Sequence, residues 1–328
     1  SDGFMLSVKS FFKDNFKRLG LRLLSSDEGF PKRITKGEIL RPGLVLTGFT
    51  DYVEPECVVL FDYADALYLK SIIDQNKTEH IEGLFSYAPP CIIFAKDADV
   101  PDAFIDIANQ KRVAVFQSSF GSTEISHVIV DQFHFLFAPR ESVHATLMDI
   151  YGIGILFLGK SGIGKSEIAL DLVERGHRLV ADDLVITIRK NEQVLLGEGR
   201  ALQDHHIEIR GIGLIDVKRL YGIRSVRNIK RIEVVVNLEY WEDGKSYDRT
   251  GLEDHYTTIN KVKLPYLSLP IHPGKNITVL SETIALNHLL KINGVNPAQE
   301  FNEKLIDAMS RNNKEKKEYI DFLDEDYE

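Results

Sequence analysis

Along its first 140 residues the chain alternates short, unbroken apolar runs with longer stretches of mixed polarity. CVVLF (57–61) precedes ADALYLKSIIDQN (64–76), CIIFAKD (91–97) precedes DAFIDIANQ (102–110), and VAVFQ (113–117) follows. Short continuous apolar runs predict strands covered on both faces, and the segments between them predict helices. Such strand–helix–strand alternation points to an α/β domain with parallel pairing. Near FAPRESVHATLMD (137–149) the texture changes and a second domain begins. There GIGILFL (152–158), RLVADDLVITI (178–188, interrupted by two aspartates) and RIEVVVNLEYW (231–241) predict strands. SEIALDLVERG (166–176), SETIALNHLLKING (281–294, ending at Gly294) and NPAQEFNEKLIDAM (296–309, opening on Asn296-Pro297) predict helices. The expected division is 1–138 for the first domain, 139–310 for the second, and a charged tail over 311–328. No internal repeat is visible.

Composition narrows the possibilities without choosing among them. At 328 residues, with 44% hydrophobic and 27% charged positions, the chain can build roughly two cores without staples. A formal net charge of −9 offers no global field for nucleic acid. The two cysteines, Cys57 and Cys91, each lie inside an apolar run and predict buried free thiols in a reducing compartment. The opening SDGFMLSVKSFF does not read as a signal peptide, and no segment approaches the about 18 consecutive apolar residues of a membrane span. A cytoplasmic protein with no membrane role is expected.

The strongest chemical signal is GKSGIGKSE, beginning at Gly159. Gly159, Lys160, Ser161, Gly162, Ile163, Gly164, Lys165 and Ser166 satisfy G-x-x-x-x-G-K-[ST]. A phosphate chain needs successive backbone N–H groups turned inward; glycines permit that curl, and the following helix adds its N-terminal partial charge. Lys165 then offers a point charge to the outer phosphates and Ser166 a hydroxyl to Mg2+. The context agrees, since an apolar strand precedes the loop. The helix after it places Ile168, Ala169, Leu172 and Val173 on one face and stops at Gly176.

Two further clusters bear on the reaction. Asp182 and Asp183 end the apolar Leu179-Val180-Ala181, where a phosphate-loop protein keeps a carboxylate that organises magnesium or activates a nucleophile. Adjacent strand residues face opposite sides, so one aspartate is expected to face the phosphates and the other to support it. In HHIEIRGIGLIDV (205–217), Glu208 and Arg210 alternate with isoleucines before Gly211 and Gly213. This arrangement suits either a metal ligand with a charge partner or a surface ion pair. His144, the loop Tyr247-Asp248-Arg249 and the turn Arg41-Pro42-Gly43 carry less information alone. The basic run Arg224–Arg231 suits a lid, a docking loop or a solvated surface.

Taken in order, RPG (41–43), VHATLMDIYGIG (143–154), GKSGIGKSE, RGHRLVADD (175–183), LxxHxIEIRGIGLIDV (202–217), YDRTG (247–251) and LPIHPGKN (269–276) resemble the HPr kinase/phosphorylase family. The likeness runs from near residue 40 to about residue 309. It implies an N-terminal α/β domain joined to a phosphate-loop kinase domain with a mixed sheet and helices. It implies that ATP, or pyrophosphate, with Mg2+ phosphorylates a serine of the phosphocarrier protein HPr. Inorganic phosphate would remove the group again as pyrophosphate, in carbon catabolite control. By the same resemblance Lys165 contacts the transferred phosphoryl group, Ser166 and Glu208 hold Mg2+, and Asp183 is the proton acceptor, with Asp182 its neighbouring alternative. His144 and Arg249 complete the site, and Ile207–Asp216 serves both directions. Pro270, Ile271, His272, Pro273, Gly274 and Lys275 serve mainly dephosphorylation, and the assembly is a hexamer.

Three positions depart from the family pattern. Ala145 replaces a usual glycine, while His272 and Lys275 stand where arginines are common. Neither replacement offers a guanidinium fork, so slower phosphorolysis is expected. A kinase-only HPr enzyme, a kinase of a small metabolite and a nucleotide-sensing regulator are the alternatives. Asp183→Asn separates enzyme from sensor.

Overall fold

A computed structural model describes residues 6–200, 205–242, 255–272 and 275–309. Two compact units, Ser1–Ala138 and Pro139–Glu328, divide the chain. No helix among the described residues is long and apolar enough to cross a membrane.

The first unit is built on a five-stranded sheet ordered Arg22–Leu23, Ala114–Gln117, Cys91–Phe94, Val58–Phe61, Ile39–Leu40. The last four strands are mutually parallel and only Arg22–Leu23 runs against them. Val58–Phe61 and Cys91–Phe94 are buried at every position, as strands covered on both faces must be. Side-chain alternation divides the contacts. Val59, Phe61, Ile92, Phe94 and Val115 meet helices Tyr63–Asp74, Glu79–Ser86 and Asp102–Gln110 on one face. Val58, Leu60, Cys91, Ile93 and Phe116 meet Val8–Asn15 and Ser122–Leu136 on the other. Cys57 and Cys91 are free and buried, and burial pushes the Cys91 thiol up to about 12. The Arg41-Pro42-Gly43 turn is tied down locally. Arg41 donates to Ser126 Oγ at 3.0 Å, and a Cβ on Gly43 would lie 2.8 Å from Asp65 Oδ1.

The second unit pairs two sheets. A six-stranded sheet runs Arg178–Ala181, Thr146–Ile150, Ile153–Gly159, Val234–Tyr240, Val262–Ile271, Tyr256–Ile259. Its three long strands, Ile153–Gly159, Val234–Tyr240 and Val262–Ile271, are parallel; Thr146–Ile150 and Tyr256–Ile259 run against them, and the edge strand Arg178–Ala181 pairs antiparallel with Thr146–Ile150. Helices Lys165–Glu174 and Ile277–Ile292 share a core with Met148, Ile155, Phe157, Val234 and Val236 on one face. On the other face Leu147, Leu156 and Val235 pack with Val185 and Leu195 of an antiparallel four-stranded sheet. That sheet is ordered Ile229–Arg231, Leu195–Gly199, Leu184–Arg189, Arg140–His144. A hairpin, His206–Ile209 with Gly213–Asp216, lies outside both.

Two expectations need correction. Residues 178–188 form two strands in two sheets rather than one interrupted strand. Asp183 adopts the left-handed region (φ 64) and the Leu184 N–H returns to the Asp182 carbonyl at 2.8 Å, so the chain turns sharply between the sheets. The helix expected from residue 281 starts at Ile277, because Asn276 caps it by accepting from the Val279 N–H at 3.0 Å. Residues 297–309 are helical.

Candidate active site

The phosphate loop leaves the sheet at Gly159, where the backbone turns to φ 144. A Cβ there would lie 2.7 Å from the Leu238 carbonyl of the adjoining strand, so only glycine lets the loop leave so close to its neighbour. Gly164, also left-handed, forms the N-cap of the helix Lys165–Glu174. That helix is held down by Ile168, Ala169, Leu172 and Val173, all buried, and the left-handed Gly176 follows its end. Lys165 folds over its own loop, its Nζ donating to the carbonyls of Gly159 at 2.9 Å and Lys160 at 3.3 Å.

One turn into the helix, the Ser166 hydroxyl donates to Asp182 Oδ2 at 2.7 Å. The other carboxylate oxygen accepts from the fully buried Thr146 at 2.5 Å. Burial pushes the Asp182 carboxyl above its ordinary value, and the Thr146 and Ser166 hydroxyls oppose that push. Asp183 lies on the other side of the turn, exposed, with Oδ1 3.9 Å from Nδ1 of the equally exposed His144. The two are brought together by strand pairing, since Leu184 is registered against His144. The aspartates therefore differ in surroundings through a turn in the chain, not through alternation along one strand.

The hairpin contributes from the side of the loop. Ile207 and Ile209 are buried in the core shared with the loop helix, while Glu208 and Arg210 are exposed. The Arg210 guanidinium lies against the loop at Gly162 (φ 79), where a Cβ would meet its Nη2, Nη1 and Cζ at 2.8, 3.0 and 3.1 Å. Sequence reasoning named Arg210 only as a charge partner; its contact across 48 positions of chain left no local mark. Glu208 does not bond Ser166 among the described residues, where Ser166 has Asp182 instead. Thr146 was also missed, although a lone hydroxyl inside the apolar TLMDI is the kind of signal that marks a buried hydrogen bond.

The remaining candidates separate. Pro270 and Ile271 end the strand Val262–Ile271, His272 follows, and Lys275 Nζ donates back to the Pro270 carbonyl at 3.1 Å. Arg249, Pro273, Gly274, Leu202 and the tail from residue 311 lie outside the described residues. Within the basic run, Arg227 Nη1 bonds the buried Asp149 at 2.8 Å and Lys230 bonds both oxygens of Glu233 at 2.9 Å. Those two cations are used inside the fold, which argues against the whole run being a lid.

No cluster of three metal-ligating side chains occurs among the described residues. Mg2+ does not require one, because it keeps waters and takes phosphate oxygens alongside one or two protein groups. The Ser166 hydroxyl with the Asp182 carboxylate is an oxygen pair of the right hardness beside the loop, and Glu208 would add a third donor from the hairpin.

A phosphate loop at the carboxyl end of a parallel strand, a buried carboxylate on its serine and an exposed carboxylate beside it together define a phosphate-loop phosphotransferase. The sequence comparisons agree and are more specific. The profile described as "HPr Serine kinase C-terminal domain" matches residues 135–305, and "HPr Serine kinase N terminus" matches residues 6–132. An "HPr kinase/phosphorylase" of Chloroherpeton thalassium is 37% identical over 328 residues, 98% of this chain and 96% of that one. Another of that name, from Bacillus cereus (strain B4264), is 39% identical over 303 residues, 92% and 98% of the two chains. A solved "Hpr(Ser) kinase/phosphatase from Coxiella burnetii" is 37% identical, covers 47% of this chain and 93% of its own, and superposes with a TM-score of 0.43. The chain belongs to the HPr kinase/phosphorylase family.

Proposed function

We propose that this protein moves a phosphoryl group from ATP to a serine of HPr, and returns it to inorganic phosphate as pyrophosphate. The observation that carries this reading is the division of labour at the Asp182–Asp183 turn. The buried Asp182 is bonded to Ser166 of the phosphate loop, while the exposed Asp183 faces solvent beside His144. Phosphoryl transfer depends chiefly on positioning and charge neutralisation, and a serine hydroxyl needs a base during attack. In the forward direction the HPr serine Oγ–H gives its proton to Asp183. The serine Oγ–phosphorus bond forms as the bond from the γ-phosphorus to the bridging oxygen breaks, and ADP leaves. In reverse, an oxygen of inorganic phosphate attacks the phosphoserine phosphorus, the serine Oγ leaves with the Asp183 proton, and the loop holds the resulting pyrophosphate. Lys165 and the Arg210 guanidinium supply positive charge to the phosphates. Mg2+, held by Ser166 with Asp182 or Glu208, would neutralise charge on the phosphate oxygens. His144 orients Asp183, Arg249 completes the charge around the phosphates, and Pro270–Lys275 serves mainly the reverse direction, slowed by His272 and Lys275 in place of arginines.

The exposed Ile212 and Leu214, each more than two-thirds accessible at the tip of the Arg210 hairpin, offer a protein acceptor an apolar seat. A small metabolite would have no use for one. The same reading carries a catalytic domain starting at residue 139, a cytoplasmic homo-oligomer (a hexamer by resemblance) and a role in carbon catabolite control. The test is the intact mass of HPr after incubation with protein, ATP and Mg2+, beside HPr lacking its target serine. One phosphate on the first and none on the second is expected. With Asp183→Asn, nucleotide binding should persist and transfer should fail. No transfer by the unaltered protein, with ATP bound, would leave the metabolite-kinase and sensor readings standing.

A further inference from the structure

Strand Thr146–Ile150 divides its side chains between the two cores of the second unit. Leu147 faces the seam with the four-stranded sheet, whereas Met148 and Ile150 face the core that holds helix Lys165–Glu174. Thr146 continues the Met148 and Ile150 row, registered against Phe157 shortly before the phosphate loop leaves at Gly159. It is the polar member of that row and has no solvent access. A valine would fill the same space, and a buried hydroxyl is favourable only when it is bonded. The bond to Asp182 Oδ1 is therefore what distinguishes threonine at this place.

Three consecutive residues hold the aspartate turn. Leu184 is registered against His144, the Ala145 N–H donates to the Asp183 carbonyl at 3.2 Å, and Thr146 donates to the Asp182 side chain. Of the three, Thr146 is the one whose partner also bonds the phosphate-loop serine. With Oδ1 on Thr146 and Oδ2 on Ser166, the carboxylate cannot rotate about Cβ–Cγ without breaking a bond. Ser166 has a single hydroxyl proton and directs it at Asp182, which leaves the lone pairs of its oxygen for a cation. A carboxylate free to rotate would release that proton to a phosphate oxygen, and the hydroxyl would then turn its lone pairs away from the ion. We infer that Thr146 is a positioning residue for Mg2+: it fixes Asp182 so that Ser166 offers the ion lone pairs, and it acts without touching the ion. The inference rests on the phosphotransferase reading above and adds to it the residue that sets the metal dependence of the loop.

Calorimetric titration of the full-length protein with pyrophosphate, over a series of free Mg2+ concentrations, gives the Mg2+ midpoint of binding. Thr146→Val should raise that midpoint about tenfold, the order expected when a hydrogen-bond partner behind a metal ligand is lost. Thr146→Ser, which keeps the hydroxyl, should restore it. In EDTA, pyrophosphate affinity depends on Lys165 and the loop backbone and should be the same in all three proteins. An unchanged midpoint in Thr146→Val would overturn the assignment. Equal weakening with and without Mg2+ would mark a structural role and overturn it too. Should Thr146→Val not fold, Thr146→Ala and Thr146→Ser make the same comparison; their midpoints should differ, and equal midpoints would overturn the inference. Failure of the unaltered protein to bind pyrophosphate at any Mg2+ concentration would instead refute the phosphate-loop reading, and the assignment with it.

Discussion

Replacing Thr146 by valine swaps a hydroxyl for a methyl of similar size at a site with no solvent access, so neither a cavity nor overpacking follows. What is lost is the 2.5 Å bond to Asp182 Oδ1. Hydrogen bonds to a charged partner contribute about 1.5–3 kcal/mol, so a loss near 2 kcal/mol is expected while Asp182 is ionised. The pH dependence follows from the direction of the Asp182 shift. Burial raises its carboxyl above the ordinary value of 3.8, so its favourable contribution is present below that value and lost as pH rises through the folded value. Thr146 is one of the two hydroxyls that limit this loss, and valine moves the carboxyl further up. The stability gap between Thr146→Val and the unaltered protein should therefore widen from pH 5 to pH 8. Thermal unfolding at both values measures it, with Tm lowered by about 4–8 °C at pH 8 for a unit of this size. Thr146→Ser, which keeps the hydroxyl, should recover most of the loss. An equal fall at both pH values would refute the charge-assisted bond, and no fall at either would refute the bond itself.

Other outcomes follow from the same geometry. Gly162→Ala places a Cβ within 3.1 Å of the Arg210 guanidinium at a left-handed position; it should cost at least about 1 kcal/mol and weaken pyrophosphate binding measured by calorimetry. Glu282 is held down to about 2 by Arg175 and His177, which bond it at 2.6–2.9 Å. Its contribution should be full above pH 4.5 and lost as pH falls through about 2; acid unfolding of Glu282→Gln should lack that component. Ile212→Asp with Leu214→Asp should raise KM for HPr without altering ATP affinity, and equal loss of both would count against a protein seat at the hairpin. Gly197→Ala, whose Cβ would lie 2.5 Å from Leu147 Cδ2, should overpack the seam between the sheets and destabilise by about 1–3 kcal/mol.

The loop could be read from sequence because its requirements are local: left-handed glycines, a lysine and a hydroxyl at fixed spacing, and a helix directly behind. The parallel sheet of the first unit was equally legible, since strands buried on both faces need unbroken apolar runs. The Asp182–Asp183 turn was not. Leu179-Val180-Ala181 and Leu184-Val185-Ile186 are both apolar, and only distant pairing, Ala181 with Leu147 and Leu184 with His144, assigns them to different sheets. Arg227 illustrates the same limit. Its partner, the buried Asp149, lies 78 residues earlier, so a half-buried ion pair read as part of a basic loop.

The turn between Asp182 and Asp183 has a consequence for how substitutions across this protein will score. Asp182 is anchored through Thr146 and Ser166 to the six-stranded sheet, and Asp183 through Leu184 and His144 to the four-stranded one. The spacing between the phosphate loop and Asp183 is thus a slip gauge for the seam of Leu147, Leu156, Val185 and Leu195. A misplacement of about 1 Å can lower a rate a hundredfold. In a library of variants ranked by turnover, apolar seam positions with no polar atom to offer should rank beside the carboxylates themselves. Ranked by stability alone, they would be indistinguishable from the rest of the core.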